Sequence, residues 1–106
     1  KIKKTKEIVE IFEKLGFSDE FERVSKKKIR AGKGKARNRK YKIKRGPLIV
    51  VDPDEENLVK STKNLLGFEV IDVDSLIVSD FGMSEIPGRC VLFTKKASEK
   101  FKEVIN

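Results

Sequence analysis

The sequence predicts an α/β fold: a three-layer parallel sheet of about three strands with helical crossovers, preceded by a helical hairpin and a basic extended loop. Three observations predict it. Short strand-like stretches at 48–51, 68–73 and 90–93 are separated by stretches of helical periodicity or mixed character, as strands joined by crossovers require. The first run, LIVV, is apolar at every position, which suits a parallel strand covered on both faces. The length, 106 residues, fits one domain with a single modest core.

Thr5 to Gly16, TKEIVEIFEKLG, reads as a short helix. Thr5 is placed to cap it, Ile8, Ile11, Phe12 and Leu15 share one face, and Gly16 suits the left-handed stop. Ser18 opens a second helical piece, SDEFERV, burying Phe21 and Val24. After it the hydrophobic pattern dissolves. Gly32 and Gly34 disfavour a continuous helix, and Ile29, Tyr41 and Ile43 are the only sizeable apolar groups before Gly46, so 25–46 reads as a basic loop that a partner would order.

At Gly46-Pro47 the character changes abruptly and LIVV supplies the first strand. Asp52 is placed to cap the next helix, with Pro53 at its first position, Glu55 three residues after the cap, and Asp54, Glu55 and Glu56 at the positive end of the dipole. Leu58, Val59, Thr62, Leu65 and Leu66 would face inward, Gly67 would stop the helix, and FEVIDV follows as a second strand. Asp74 to Phe81 fits either a short helix or an irregular connection, and GMSEIPG reads as a loop. CVLF, residues 90–93, is the third strand. Thr94 then caps a last helix with Ala97, Phe101, Val104 and Ile105 inward. A strand as apolar as LIVV needs two neighbours, and three strands make a narrow sheet, so the chain reads as part of a larger domain.

Composition removes much ordinary enzymology. Cys90 is the only cysteine and histidine is absent, which excludes disulfide frameworks, CxxC zinc sites, Cys-His nucleophiles and Ser-His-Asp triads within this chain. No apolar run approaches the roughly 18 residues that span a bilayer, and no secretory pattern opens the sequence, so a soluble intracellular protein is expected. Cofactors and small-molecule substrates are not expected.

Charge layout says more. Formal charge is +8, but thirteen of the 25 basic residues lie between Glu22 and Asp52 with no acid among them, leaving twelve against 17 acids elsewhere, a net of −5. One dense block on an acidic body marks a local polyanion site. Its centre, residues 26–46, reads KKKIRAGKGKARNRKYKIKRG. Arg30, Arg37, Arg39 and Arg45 offer planar forks for phosphate or guanine, and Lys26, Lys27, Lys28, Lys33, Lys35, Lys40, Lys42 and Lys44 supply point charges. Small Ala, Gly and Asn spacers let the backbone approach phosphates. Asn38 adds hydrogen bonding, and Tyr41 is read either as a stacking surface for unpaired bases or as an anchor fastening the loop to the body.

Four other readings compete with that one. RAGKGKARN resembles a nucleotide-binding loop only superficially, lacking the third glycine, a Ser or Thr after the lysine, and a preceding strand. A solvated loop would also account for a charge run, whereas a membrane surface is disfavoured because no adjacent amphipathic helix offers an apolar face. Asp52, Asp72 and Asp74 fall near carboxyl ends of strands, where magnesium-dependent phosphotransfer could be built, although capping explains Asp52 and Asp74 without chemistry. Cys90, opening an apolar strand, reads as a packed small hydrophobe.

IRAGKGKARNRKYK, followed at once by RGPLIVV and later by KNLLGFEVIDVDSL and IPGRCVLFTKKASEKF, closely resembles the carboxyl-terminal part of the archaeal and eukaryotic branch of the large-subunit ribosomal protein L-four family. The similarity runs from TKEIVEIFEKLG to the last helix. It implies a structural, non-catalytic rRNA-binding protein of the cytoplasmic large subunit, partnered by large-subunit rRNA and neighbouring ribosomal proteins. The matching positions make Arg30, Lys33, Lys35, Arg37 and Arg39 rRNA contacts, and the Gly88-Arg89 match extends an RNA role to Arg89. Ala36 stands where relatives commonly carry Met, leaving the charge pattern intact. Family members also carry an amino-terminal strand and an extension reaching the peptide exit tunnel; neither is found here, so the chain reads as a fragment or shortened form. A non-ribosomal RNA-binding module is the alternative.

Overall fold

Four consecutive apolar side chains can leave water together only if both faces of their strand are covered, and that requirement organises the molecule. A computed structural model describes residues 3–82 and 88–106. The elements are α1 (Thr5–Lys14), α2 (Ser18–Ser25), β1 (Lys28–Ile29), β2 (Tyr41–Lys42), β3 (Leu48–Val51), α3 (Glu56–Lys63), β4 (Glu69–Asp72), α4 (Val78–Phe81), β5 (Val91–Phe93) and α5 (Lys95–Ile105), with 3₁₀ turns at Lys33–Arg37 and Val73–Ser75.

β3 lies at the centre of a three-stranded sheet in the order β4-β3-β5. Both pairings are parallel, with Leu48 opposite Glu69 on one side and Val91 on the other. All four β3 side chains are buried, each contributing about 1.5–3 kcal/mol by leaving water. Alternation divides them between two clusters. Ile49 and Val51 pack with Ile8 and Phe12 of α1, Val24 of α2 and Phe68. Leu48 and Val50 pack with Val73 and Ala97. Phe68 holds the first cluster together, its ring stacked 5.4 Å from Phe12 and 5.0 Å from Phe21. The expectation of a parallel sheet with LIVV between two neighbours is met.

Local details depart from expectation where tertiary contacts override the local pattern. Thr5 does not cap α1; it lies within the first turn behind Lys4, and its hydroxyl donates to the Ser61 carbonyl oxygen at 2.9 Å, tying α1 to α3. Asp52 does not cap α3, which starts at Glu56. Residues 52–55 form a turn instead, because the Glu55 carboxylate accepts both the Asp52 N–H (3.1 Å) and the Thr94 hydroxyl (2.7 Å). Thr94 does cap α5, accepting from the Ala97 N–H. Thr62 is buried as expected, but so is Ser61; both hydroxyls are satisfied by donating to carbonyl oxygens one turn back.

Several apolar side chains expected inside are exposed. Ile11 and Leu15 of α1 line an open groove of about 200 Å³ with Leu92 and Phe93, beside the sheet edge where, among the described residues, no further strand covers β5. Leu66 lies at the rim after α3, and Val104 and Ile105 occupy the last turn of α5, past the buried contacts that Ala97 makes. Cys90 precedes β5 and is exposed rather than packed. The stretch 74–81 combines both expected forms, a 3₁₀ turn followed by the short α4. Of the expected loop GMSEIPG, residues 83–87 lie outside the described residues.

Candidate nucleic-acid interface

The basic segment, expected as an extended loop, is a short antiparallel ribbon closed by a turn. β1 pairs with β2, setting Lys28 opposite Lys42 and Ile29 opposite Tyr41. The Arg30 N–H continues the ladder to the Lys40 carbonyl oxygen at 2.7 Å, and the Arg39 N–H closes the turn onto Gly34 at 3.0 Å. Asn38 ends the 3₁₀ turn in the left-handed conformation, φ 59°, which asparagine tolerates better than most residues.

Of the expected contact residues, Lys26, Lys27, Lys28, Lys33, Lys35, Arg37, Asn38, Arg39, Lys40, Tyr41, Lys42, Lys44 and Arg45 are all exposed. Arg30 is half-buried and oriented. Its Nε donates to the Arg39 carbonyl oxygen at 2.9 Å, and its stem crosses Gly34 so closely that a Cβ there would sit 2.7 Å from Arg30 Cδ. Lys26, Lys28, Arg30, Lys42, Ile43 and Lys44 line a concavity of about 430 Å³. Lys27 and Lys40 instead hold their ammonium groups over the Tyr41 ring, 5.6 and 5.5 Å from its centroid, so the ring gathers cations as well as exposing an edge.

A separate set of contacts fixes the root of the ribbon. Arg23 of α2 forms a two-pronged pair with Glu20 and donates to the Arg45 carbonyl oxygen at 2.8 Å. The hydrogen bond from Arg23 holds the Glu20 carboxyl below its ordinary range. The Gly46 N–H donates to the Gly67 carbonyl oxygen at 2.7 Å. Arg89, whose side chain is 8% exposed, pairs through Nη1 with Glu69 at 2.7 Å, donates from Nε to the Gly46 carbonyl oxygen at 3.0 Å, and reaches the Asp80 carbonyl oxygen at 3.3 Å. Arg45 approaches the same Glu69 at 3.6 Å. Arg89 is therefore set apart from the exposed charges, at the junction of β4, α4 and the exit from the ribbon.

Sequence reasoning missed this junction. Glu69 was legible only as a strand residue and Arg23 as the edge of a charge run; no local pattern links them to positions 45 and 46. The one signal was Glu69 itself, an acid at the start of β4 rather than at its carboxyl end, where Asp72 lies.

The acids at the carboxyl ends of the strands form a different arrangement. The Lys100 ammonium lies 2.8 Å from Asp74 and 3.8 Å from Asp52, and the hydrogen bond to Asp74 raises its pKa. An ammonium thus occupies the space between the two carboxylates where a cation would have to sit. Among the described residues, no group of three or more His, Cys, Asp or Glu side chains converges in a geometry that could hold a metal. No helix of the described residues is long and apolar enough to cross a membrane.

Residues 1–104 match the family model described as the ribosomal protein L4/L1 family. Across 102 residues, 96% of this chain, it is 42% identical to the large ribosomal subunit protein uL4 of Nanoarchaeum equitans, covering 38% of that relative. It is 43% identical over 103 residues to uL4 of Methanocaldococcus jannaschii, covering 40% of it, and 38% identical over 97 residues to uL4 of Saccharolobus solfataricus. The chain thus spans about two fifths of the length of the curated relatives it matches.

Proposed function

The chain belongs to the ribosomal protein L4/L1 family, and from that membership we propose that it is a structural, non-catalytic constituent of the large ribosomal subunit that binds rRNA through the basic segment 25–46. The observation that carries the proposal is the ribbon itself: twelve lysines and arginines between Lys26 and Arg45 with no acid among them, all but Arg30 exposed. Its partners in this reading are large-subunit rRNA and neighbouring ribosomal proteins, and its place is the cytoplasmic ribosome. The body is one α/β domain, part of a larger one, in a three-layer arrangement with α1 and α2 as a hairpin; the two separate clusters on β3 support that layering.

Mechanistically, each Lys or Arg that meets a phosphate displaces condensed counterions, while the fixed root holds the ribbon in one orientation on the body. Shape and phosphate placement, more than base sequence, then govern recognition. Titrating the chain with protein-free large-subunit rRNA at increasing KCl is expected to give log affinity falling linearly with log salt, by about 0.7–0.9 per phosphate contact. A flat profile would remove the proposal. Retention on large subunits, after a high-salt wash that strips the chain from unrelated RNA, separates the ribosomal role from that of a general RNA-binding module.

A further inference from the structure

The ribbon contains a pairing that works against itself. Lys28 lies directly opposite Lys42, and like charges facing each other across an antiparallel pair destabilise it. The neighbouring pair does little to offset this, since Ile29 is 62% and Tyr41 49% exposed, and an isolated two-stranded ribbon is marginal in water at best. Five cations, from Lys26, Lys28, Arg30, Lys42 and Lys44, line the same concavity with no acidic residue among its lining side chains.

We propose that this concavity is the seat of the RNA phosphodiester backbone, and that a phosphate held there closes the Lys28–Lys42 pair, so that ribbon order and RNA binding are coupled. The inference rests on the rRNA reading above and deepens it by dividing the charges. Arg30 presents its remaining guanidinium N–H groups from a fixed position, because its Nε is engaged by Arg39 and its stem lies across Gly34; such an oriented fork suits a phosphate oxygen pair. Lys26, Lys28, Lys42 and Lys44 surround the bound group as point charges. Lys33, Lys35 and Arg37 sit on the turn, outside the lining, and attract RNA only at longer range.

Two triple variants test the division, each removing three charges: Lys28→Gln, Lys42→Gln, Lys44→Gln on the ribbon, and Lys33→Gln, Lys35→Gln, Arg37→Gln on the turn. With protein-free large-subunit rRNA as the probe, the ribbon variant is expected to lose about 2–3 units of the log-affinity against log-salt slope, and the turn variant less than about one. Equal losses would overturn the division while leaving the rRNA reading intact; a wild-type chain that shows no salt-dependent binding would remove both. The single variant Lys28→Thr separates the coupling from a merely structural effect. In the free protein it should slow exchange of the Arg30 amide, which bonds to Lys40, because the like-charge pair is gone, and yet weaken RNA binding. Faster or unchanged exchange would overturn the coupling.

Discussion

Gly67→Ala is expected to lower folding stability by about 2–5 kcal/mol, the sum of a backbone and a packing penalty. Gly67 has φ +79°, and a Cβ there would lie 2.9 Å from Val24 Cβ and 3.0 Å from the Lys44 carbonyl oxygen. Left-handed backbone costs a residue with a Cβ about 1–2 kcal/mol, and overpacking adds about 1–3 kcal/mol when neighbours cannot yield. Neither neighbour yields cheaply. Val24 is buried among Ile8, Phe12 and Phe68, and the Lys44 oxygen is backbone at the root of the ribbon. Gly16→Ala is the matched control: φ is +87° but, among the described residues, nothing lies within 4 Å of the added Cβ, so only the backbone term applies. Denaturant midpoints at constant m-value measure both. Equal losses at the two positions would mean that the close approach of α2, the ribbon root and the turn before β4 carries no energetic weight.

Arg89→Ala is expected to cost about 2–4 kcal/mol, since charge-assisted hydrogen bonds of about 1.5–3 kcal/mol are lost and two part-buried carbonyls, of Gly46 and Asp80, are left without this donor. The upper end is discounted because the Glu69 side chain is 39% exposed and water can reach it. Arg89→Lys should recover little of that loss, because one ammonium cannot serve Glu69, Gly46 and Asp80 from a planar fork. A lysine variant as stable as the wild type would sink the clamp. The same substitution tests the RNA role implied by family resemblance. If Arg89 acts only at the root, Arg89→Ala in protein that remains folded leaves the salt slope of rRNA binding unchanged; a fall of about 0.7–0.9 would put its guanidinium on a phosphate.

Legibility followed the range of the physics. Uninterrupted apolar character made LIVV a central strand, and Thr94 was readable as a cap because an N-cap needs only its own next three residues. Asp52 carried an equally good local signal and failed, since Glu55 is drawn to Thr94, 39 residues away in the chain. The stripe of α1 was correctly periodic, yet periodicity marks a face without saying how much of it finds a partner; Ile8 and Phe12 are buried while Ile11 and Leu15 are not. In the basic segment, the charge block was plain from composition, whereas the weak β character of Lys28–Ile29 and Tyr41–Lys42 gave no strand signal at all.

By itself, the sequence determined the α/β class, the central strand and a dense basic block confined to one segment, because hydrophobic runs and local charge density are properties of neighbours along the chain. Only the tertiary structure decided how those charges are arranged. It set Lys28 against Lys42, turned Lys27 and Lys40 onto Tyr41, oriented Arg30 across Gly34, and drew Arg89 into the junction with Glu69 and Gly46. The reason is that electrostatic and hydrogen-bond energies depend on separations in space of a few ångströms, and residues 43 positions apart, such as Arg89 and Gly46, acquire such a separation only when the sheet brings β4, β3 and β5 together.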